Sequence, residues 1–472
     1  MRVKPHSLTE TTPVTSTDFS SLPLSTEFLA NLGSLDYKVM TPIQAQSLHA
    51  MLAGRDIQAQ AKTGSGKTAA FGIALLNRIN VSYFRTQALV LCPTRELADQ
   101  VSKEIRRLAR PIQNTKILTL CGGTAIGPQF ASLEFSPHVV VGTPGRVLKH
   151  LQKGSLKLDR LKTLVLDEGD RMLDMGFHED IMLIIDYTPQ NRQTLLFSAT
   201  LPDAIKQISS VVQKDPLDIQ VESLHSEKHI KQVFYETARD ERFATLVSLL
   251  EHYRPESSVV FCNTKQLCQQ LADQLRGLGL HALALHGDLE QKERDQVLVQ
   301  FSNKSSSILI ATDVAARGLD IKELGAVINF ELSPDPEVHI HRIGRTGRAG
   351  QEGLALSLFQ PHEVNRLRAI ESFQNSPVHI ENTVTLQQGE HLRLIPPMVT
   401  LCISGGRKSK VRAGDIVGAL TAGTGLSAQQ IGKIDLFDMA TYVAVQHAVA
   451  SKALKILCGG NIKGRKFKVR RL

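Results

Sequence analysis

Three carboxylates lie within four residues of one another in the segment KTLVLDEGDRMLDMGF. Asp167, Glu168 and Asp170 follow directly after the apolar run TLVL. Acids at the end of a buried strand are, taken alone, typical of a solvated loop. They gain a chemical use if another segment brings phosphate and Mg²⁺, because carboxylate oxygens bind this cation and can orient an attacking water.

The segment AKTGSGKT can bring that phosphate. The strand-like stretch RDIQAQ precedes it and the amphipathic stretch TAAFGIALLNRI follows it, which is the context of a phosphate-binding loop. Glycines let backbone N–H groups converge on phosphate oxygens at a helix N-terminus. The general pattern begins with Gly where this chain has Ala, and a flexible surface loop is the alternative. We predict that the nucleotide binds to Ala61, Lys62, Thr63, Gly64, Ser65, Gly66, Lys67 and Thr68.

The same reasoning gives each charged group a role. Lys67 adds a cation for the β- and γ-phosphates, and the Thr68 hydroxyl can bind Mg²⁺. Asp167 is predicted to be the second protein ligand of that Mg²⁺, and Glu168 to orient the attacking water.

Two tandem α/β domains are predicted to position these residues. Short apolar runs alternate with amphipathic stretches from Phe19 to about Pro216, and the same rhythm returns after residue 230. This alternation indicates parallel sheets covered by helices. The predicted organisation is a flexible leader (1–18), a first α/β domain (19–217), a linker (218–230), a second α/β domain (231–375), a second linker (376–396) and a small C-terminal domain (397–472).

Composition restricts the class of protein. The chain has 472 residues, 42% hydrophobic and 21% charged, which is an ordinary soluble balance. No apolar run approaches the roughly 18 residues that a membrane span needs, and the N-terminus lacks the apolar core of a signal peptide. We therefore expect a cytoplasmic protein. The six cysteines form no C-x-x-C pair, so neither a zinc site nor a disulfide framework is predicted.

The positive charge is concentrated at the C-terminus. Residues 396–472 contain 13 Lys and Arg against three Asp, a balance of +10, whereas the whole chain carries +9. The remaining residues therefore sum to about −1 (9 − 10). A basic segment of this kind favours a polyanion-binding module, although a solvated basic face is the alternative.

The basic segment itself reads as a β-α-β-β-α-β unit, an order that resembles an RNA-recognition motif. Few aromatic side chains are available for base stacking on its sheet, because the first strand offers Cys402 and the third only Tyr442. We therefore expect RNA to be bound by loops and edges, with a structured hairpin preferred over a bare strand. The residues proposed for this contact are Arg407, Lys408, Lys410, Arg412, Lys463, Arg465, Lys466, Lys468, Arg470 and Arg471.

The ordered set of motifs resembles the DEAD-box ATP-dependent RNA helicases. It comprises AKTGSGKT, PTREL, TPGR, DEGD, SAT, ATD, RGLD and HRIGRTGR, and the resemblance covers roughly residues 19–375. The tail, with TLCISGG and GGNIKGRKFKVR, resembles the DbpA-type members, whose extra domain directs them to large-subunit ribosomal RNA.

The resemblance implies roles in ATP binding and hydrolysis. It implies that Phe19 stacks on adenine, that the Gln44 amide reads the adenine edge, and that Asp320 binds the ribose hydroxyl. It also implies that Arg345 and Arg348 reach the γ-phosphate, for which structural salt bridges are the alternative. Coupling of hydrolysis to RNA is implied for Asp170, Ser198, Ala199 and Thr200.

The resemblance also implies that both α/β domains are RecA-like, with ATP bound by the first, and that both contact the RNA backbone. Hydroxyls, bare backbone and guanidinium groups suit phosphate, and such contacts position a strand without reading its sequence. The implied residues are Thr94, Arg95, Gly122, Gly123, Thr143, Gly145 and Arg146 in the first domain, and Asn263, Thr264, His286, Gly287, Thr312 and Arg317 in the second.

Gly169 departs from the Ala that gives the family its name. It offers no side chain to phosphate or metal, so we expect activity to survive, at a cost of about 1 kcal/mol in backbone freedom if the position is helical. The resulting prediction is an ATP- and Mg²⁺-dependent RNA helicase acting in large-subunit ribosome assembly, with ribosomal RNA and pre-ribosomal particles as partners. The alternative is an RNA-binding assembly factor or an ATP-dependent clamp with little turnover.

Overall fold

The computed structural model describes residues 17–61, 64–221, 230–316, 324–347, 353–386 and 394–472. These residues form two compact units, one with a single sheet and one with two. Among the described residues, no helix is both long and apolar enough to cross a membrane.

The first unit is built on a seven-stranded parallel sheet in the order β3-β4-β2-β5-β6-β1-β7. Its strands are rich in Val and Leu and are mostly buried, as expected for a sheet covered on both faces. They are β1 (Ile57–Gln60), β2 (Ala88–Leu91), β3 (Ile117–Leu120), β4 (Val139–Gly142), β5 (Thr163–Asp167), β6 (Gln193–Ser198) and β7 (Leu217–Gln220).

Helices cover both faces of the first sheet, and each face has its own hydrophobic cluster. The helices are α1 (Thr26–Ser34), α2 (Pro42–Leu52), α3 (Lys67–Asn77), α4 (Arg95–Leu108), α5 (Gly127–Leu133), α6 (Pro144–Gln152), α7 (Gly169–Asp174), α8 (His178–Asp186) and α9 (Asp203–Val212).

The second sheet repeats the strand order of the first. Its order is β10-β11-β9-β12-β13-β8-β14, again all parallel. The strands are β8 (Ile230–Glu236), β9 (Ser258–Cys262), β10 (Ala282–Leu285), β11 (Ile308–Thr312), β12 (Ala326–Asn329), β13 (Gly353–Phe359) and β14 (Ile380–Glu381). The helices are α10 (Arg242–Tyr253), α11 (Lys265–Gly277), α12 (Gln291–Ser302), α13 (Asp313–Ala316), α14 (Pro336–Ile343) and α15 (Val364–Gln374).

The C-terminal sheet is antiparallel, in the order β16-β17-β15-β18. Its elements are β15 (Met398–Ile403), α16 (Ala413–Thr421), β16 (Ile431–Leu436), β17 (Thr441–Gln446), α17 (Ala450–Gly459) and β18 (Val469–Arg471). The predicted fold class, two RecA-like parallel sheets and a small α+β unit of RNA-recognition-motif type, is thus confirmed.

Both predicted linkers contribute to a sheet. Strand β7 includes residues 218–220, which were predicted to begin the first linker, and it pairs with β1. Strand β14 lies within the second predicted linker and pairs with β8. Short polar strands at sheet edges carry little apolar periodicity, so the sequence pattern does not reveal them.

Candidate functional site

The carboxyl edge of the first sheet brings the predicted residues together in two neighbouring groups. The nucleotide and coupling residues follow β1, β5 and β6, which are adjacent in the sheet. The RNA residues follow β2, β3 and β4, which are also adjacent. Ligands of open parallel sheets bind at this edge.

The phosphate-binding loop has the backbone that its glycines predict. Gly64 and Gly66 have φ of 86° and 96°, and Gly66 caps α3. A Cβ on Gly66 would lie 2.6 Å from Gln44 Nε2, so only glycine fits there. Lys67 is buried and donates to the Ala61 carbonyl at 2.9 Å. Lys62 and Thr63 lie outside the described residues.

Gln44 is held against this loop. Its Nε2 donates to the Gly66 carbonyl at 3.1 Å, and its Oε1 accepts from the Thr41 N–H at 2.9 Å. An amide has two N–H groups and two lone pairs, so one of each remains for an adenine edge. Phe19 is buried in the hydrophobic cluster on one face of the first sheet and meets Tyr37 edge-on, with ring centroids 6.1 Å apart. Its contact with adenine stays a prediction.

Asp167 is a buried carboxylate suited to a cation. Its Oδ1 has no hydrogen-bond partner among the described residues. Burial raises the pKa of Asp167 to about 6, although the Lys67 ammonium acts in the opposite direction. A buried, incompletely satisfied carboxylate beside a phosphate-binding loop fits Mg²⁺, whose preferred ligands are oxygens. The buried Ser65 hydroxyl oxygen is likewise without a partner in the described part of the chain.

Glu168 is set apart from Asp167 by the backbone. It has φ and ψ of 54°, in the left-handed region, and precedes α7. Its Oε2 accepts from Arg171 Nη1 at 3.1 Å, and both side chains are buried. A non-glycine residue in this conformation is uncommon and occurs at functional sites. The Arg171 contact therefore fixes the direction of a carboxylate that the backbone has already turned away from β5.

Asp170 connects the predicted coupling residues in one network. Its Oδ2 accepts from the backbone N–H groups of Ala199 and Thr200, at 3.0 and 2.9 Å, and from the Thr200 hydroxyl at 3.1 Å. The Asp170 N–H donates to Ser198 Oγ at 3.0 Å. Burial alone would raise the pKa of Asp170, but the N–H donors of Thr200 and Arg171 outweigh it and the pKa is lowered. The structure thus ties the segment after β5 to the segment after β6.

Gly169 does not require glycine for its conformation. A Cβ there would lie 3.1 Å from Ile205 Cδ1 and 3.8 Å from the Phe197 carbonyl oxygen. The close neighbour is the end of a flexible side chain, which can move by a few tenths of an ångström.

The predicted RNA residues of the first sheet surround the ends of β2, β3 and β4. Thr94 accepts from Leu97 N–H and caps α4. The Arg95 guanidinium lies over Gly122 and Gly123, where a Cβ on Gly123 would overlap it. The remaining residues of the group are Thr143, which caps α6, and Gly145 and Arg146 in its first turn. Arg146 donates to Gln129 Oε1 and to the Thr124 carbonyl at 2.9 and 3.0 Å.

The second sheet places its predicted RNA residues on the corresponding strands. Asn263 and Thr264 follow β9, His286 and Gly287 follow β10, and Thr312 ends β11. His286 is buried, with Nε2 3.2 Å from Gln269 Oε1 and Nδ1 unpaired within the described residues. Arg317, Asp320 and Arg348 lie outside the described residues, and Arg345 is buried just after α14.

Sequence reasoning missed the buried ion pair between Arg342 and Asp313. Arg342 Nε and Nη2 donate to the two Asp313 oxygens at 2.6 and 2.7 Å. Arg342 also donates to Asn263 Oδ1 at 2.9 Å and to the Glu331 carbonyl at 2.7 Å. This one side chain joins the segments ATD, HRIGRTGR and CNT. The available signal was an acid and a base, each at a fixed place in a motif, but their pairing depends on the fold.

The basic residues of the C-terminal domain come together from two loops. Lys463 Nζ donates to the Lys410 carbonyl at 3.3 Å, which joins the loop with Arg407, Lys408 and Arg412 to the loop with Arg465, Lys466 and Lys468. Gly405 lies against Phe467 at the base of the same two loops.

The sheet face of this domain is covered by α12 of the second sheet. Cys402 and Tyr442 are buried in a cluster with Val299, and Phe437, Ala440 and Leu472 pack around them. Asn303 and Ser305 both hydrogen-bond the Thr400 hydroxyl, and Arg470 Nη2 lies 3.4 Å from Gln296 Oε1. The face on which an RNA-recognition motif stacks bases is therefore used for packing within the chain.

Three family models match the chain in order. A DEAD/DEAH box helicase model matches residues 41–208, a helicase conserved C-terminal domain residues 241–350, and a DbpA RNA binding domain residues 400–471. Each match falls on one of the three sheets.

Named relatives and solved structures agree with these matches. The chain is 55% identical to the ATP-dependent RNA helicase DbpA of Escherichia coli (strain K12) over 451 residues, covering 94% of this chain and 97% of the relative. It is 37% identical to the ATP-dependent RNA helicase DbpA of Bacillus subtilis (strain 168), covering 96% and 98%. The structure of S. cerevisiae Dbp5 bound to RNA and ADP BeF3 has a TM-score of 0.72 at 31% identity, covering 78% of this chain and 96% of that one.

The motifs, their convergence at the strand ends and the full-length similarity lead to one assignment. The chain belongs to the DEAD-box ATP-dependent RNA helicases of DbpA type.

Proposed function

We propose that this helicase remodels large-subunit ribosomal RNA during ribosome assembly, and that its C-terminal domain selects the RNA by a structured hairpin. The observation that carries the proposal is the joining of two basic loops next to a sheet face that is covered. With Cys402 and Tyr442 buried under α12, bases cannot stack on these two central positions of the sheet. The exposed loops can still bind the closely spaced phosphates of a folded RNA.

We propose that the first RecA-like domain hydrolyses ATP with Mg²⁺ held by Asp167 and Thr68. When bound, Mg²⁺ supplies positive charge that stabilises the transferred phosphoryl group. Lys67 then binds the β- and γ-phosphates, and Glu168 holds the attacking water in the direction that Arg171 fixes. We expect Arg345 and Arg348 to bind the γ-phosphate and Asp320 the ribose, as the family resemblance implies.

The Asp170 network suggests how RNA binding reaches the ATP site. Asp170 lies two residues from Glu168 and holds the segment Ser198–Thr200 through three donors. A shift of that segment would move α7 and with it the Glu168 carboxylate. We propose that RNA acts on hydrolysis along this path.

Steady-state ATP hydrolysis tests the choice of RNA. The full-length protein is assayed without nucleic acid, with total ribosomal RNA, and with unrelated RNA of equal mass. Strong stimulation by ribosomal RNA alone supports the proposal. Equal stimulation by both RNAs keeps the helicase and removes the ribosomal target.

A pair of matched variants then tests the basic loops. Lys466→Ala/Lys468→Ala removes two charges from them, and Lys452→Ala/Lys455→Ala removes two exposed charges from α17 in the same domain. Only the first variant should weaken ribosomal RNA binding, and its log–log salt slope should fall by about 0.9 for each lost contact to a duplex phosphate. Equal behaviour of both variants would contradict recognition by these loops.

Family membership favours turnover over the alternative of an assembly factor or clamp with little hydrolysis. The cytoplasmic location remains a prediction from the sequence.

A further inference from the structure

Exposed aromatic side chains gather at the amino edge of the first sheet, opposite the ATP and RNA residues. The described residues contain five largely exposed Phe and Tyr side chains. Four of them, Tyr83, Phe84, Phe135 and Tyr187, lie in segments that lead into β2, β4 and β6. The fifth, Phe373, is on α15. Exposed apolar groups that cluster in this way mark a binding surface more often than scattered ones do.

Hydrogen bonds through Gln87 join the segments before β2, β4 and β5. Its N–H donates to the His138 carbonyl at 2.9 Å, its Nε2 donates to the Tyr83 carbonyl at 2.9 Å, and its carbonyl accepts from the Lys162 N–H at 2.8 Å. Gln87 is itself buried. The segments before β2, β4 and β5 therefore form one continuous surface.

Phe84 and Phe135 are held at fixed positions on this surface. The Phe84 ring packs on His138 with centroids 5.4 Å apart. Lys116 lies 5.9 Å from the Phe135 centroid, and its backbone N–H donates to His138 Nδ1 at 3.0 Å. Both residues nevertheless remain more than half exposed. An exposed ring that its neighbours already hold in place can stack on a flat ligand without losing conformational freedom on binding.

The charge of the surface is positive. Lys116 and the segments 80–87, 134–138 and 157–162 contain five bases, Arg85, Lys116, Lys157, Arg160 and Lys162, against two acids, Glu134 and Asp159. Asp159 already pairs with Arg160 at 3.5 Å. The net charge is therefore +3 (5 − 2).

We propose that this surface is a second binding site for single-stranded RNA. Bases stack on Phe84 and Phe135, while Arg85 and Lys162 bind the adjacent phosphates. Aromatic side chains beside basic ones are the combination by which proteins hold single strands without reading sequence. In the segments before β2, β4 and β5, the largely exposed apolar residues are aromatic, with no exposed Leu, Ile or Val among them, which favours bases over an aliphatic protein surface.

The site provides a second contact between the helicase and a long RNA. Parallel strands place the amino and carboxyl edges at opposite ends of the sheet, so one nucleotide cannot contact both. A strand that extends beyond the core site could still be retained on the same domain. The expected substrate is a single-stranded extension, not the hairpin.

Binding of RNAs of different length tests the proposal on the full-length protein. Fluorescence anisotropy is measured without nucleotide for an 8-nucleotide and a 30-nucleotide single-stranded RNA. Phe84→Ala/Phe135→Ala should weaken binding of the longer RNA by about tenfold or more, since each stacked base contributes about 1 to 3 kcal/mol. Phe84→Trp/Phe135→Trp should restore it. Hydrolysis at saturating hairpin RNA should stay unchanged, because no ATP-site residue is altered.

The matched control is Phe373→Ala, which removes an exposed ring elsewhere. Unfolding temperatures show whether each variant is folded. Photocrosslinks from 5-bromouridine RNA to residues 83–85 or 135 would support the site. A folded double variant with wild-type affinity for the long RNA overturns the proposal, as does an equal loss with Phe373→Ala. Self-association that the double variant abolishes without any change in RNA binding would assign the surface to a second copy of the chain and also overturn it.

Discussion

Asp167 and Glu168 are adjacent carboxylates with different surroundings. Asp167 is in strand conformation, and one of its oxygens has no hydrogen-bond partner in the part of the chain that the structure describes. Glu168 is in the left-handed region and bound to Arg171. On the basis of these different environments we propose different roles for them, the first as a cation ligand and the second as the group that acts on water.

Glu168→Gln keeps the shape of the side chain and an acceptor for Arg171 but removes the negative charge. We expect turnover to fall by about 10² to 10⁴, as for the loss of a general base, while ATP and RNA affinities stay within a few-fold. Steady-state hydrolysis and nucleotide binding measure the two effects. Glu179→Gln, an exposed acid on α8, is the control, and unchanged turnover in Glu168→Gln would remove this residue from the mechanism.

Asp167 makes stability depend on pH in a predictable direction. Its pKa of about 6 in the fold exceeds the ordinary value of 3.8, so the folded state binds the proton more tightly than the unfolded state does. This contribution to stability is complete below pH 3.8 and is lost as the pH rises to about 6. Without Mg²⁺ or nucleotide, the wild type should lose up to about 3 kcal/mol over this interval relative to Asp167→Asn. Denaturant unfolding at pH 4 to 7.5 measures it, and parallel pH profiles for the two proteins would contradict the assignment.

Gly169 tests whether the family's Ala is needed at this position. The position has no positive φ and opens on the tip of Ile205. Gly169→Ala should therefore leave the free energy of unfolding within about 1 kcal/mol of wild type, because the gain in helix propensity and the contact with Ile205 oppose each other. Hydrolysis should be equal or faster. A loss of turnover in a stable variant would mean that α7 in this chain is adapted to glycine.

At the scale of elements, the Asp170 carboxylate holds α7 to the segment after β6. Both Asp170 oxygens accept, Oδ1 from the Arg171 N–H and Oδ2 from the donors of Ala199 and Thr200. The amide of Asp170→Asn therefore places an N–H group against a donor in either orientation, and we expect a loss of about 2 to 3 kcal/mol in the free energy of unfolding. The lowered pKa of Asp170 means that its own contribution persists from neutral pH down to pH 3.8 and is lost as the pH falls further.

We expect loss of the Asp170 contact to uncouple ATP hydrolysis from RNA binding. Asp170→Asn should lower RNA stimulation of hydrolysis and duplex separation more than it lowers ATP binding. Asp186→Asn, an exposed acid on α8, provides the control. Equal RNA stimulation in both variants would limit Asp170 to a structural role.

The elements and the edge at which they meet follow from the sequence, whereas several side-chain partners do not. Buried Val- and Leu-rich runs mark β2, β4, β5 and β6, and parallel strands bring their ends to one edge. The partners of Arg342 lie 11 to 79 residues away in sequence, and Glu168 has a left-handed conformation directly before α7. Neither has a periodic pattern, so neither could be predicted before the fold was known.

At the scale of the whole molecule, the two parallel sheets have the same strand order. The two parallel sheets share the order 3-4-2-5-6-1-7 when the second is renumbered from β8. In both, the predicted RNA residues follow strands two, three and four. The phosphate-binding loop follows strand one only in the first sheet, where β1 leads into AKTGSGKT. The chain thus combines a repeated edge of predicted RNA-contact residues with a single phosphate-binding loop.

The C-terminal domain packs on α12, the helix that follows the His286–Gly287 segment in the chain. Val299 lies at the centre of the buried contact with Cys402 and Tyr442. Val299→Asp buries an unpaired charge there, which is costly enough to separate the two surfaces. Both basic loops lie outside the cluster, so hairpin affinity should change little. Stimulation of hydrolysis by ribosomal RNA should fall towards the level given by unrelated RNA, because the bound hairpin is no longer held against the second RecA-like domain.

Two measurements distinguish this outcome from general damage. Limited proteolysis should release a fragment near residues 397–472 faster from Val299→Asp than from wild type, and ATP binding should be unchanged. Leu278→Asp introduces the same charge at an exposed apolar position after α11 and should behave as wild type. Faster cleavage of Val299→Asp together with full stimulation by ribosomal RNA would show that packing of the C-terminal domain on α12 is not needed for targeting, and that its covalent link to the second RecA-like domain is sufficient.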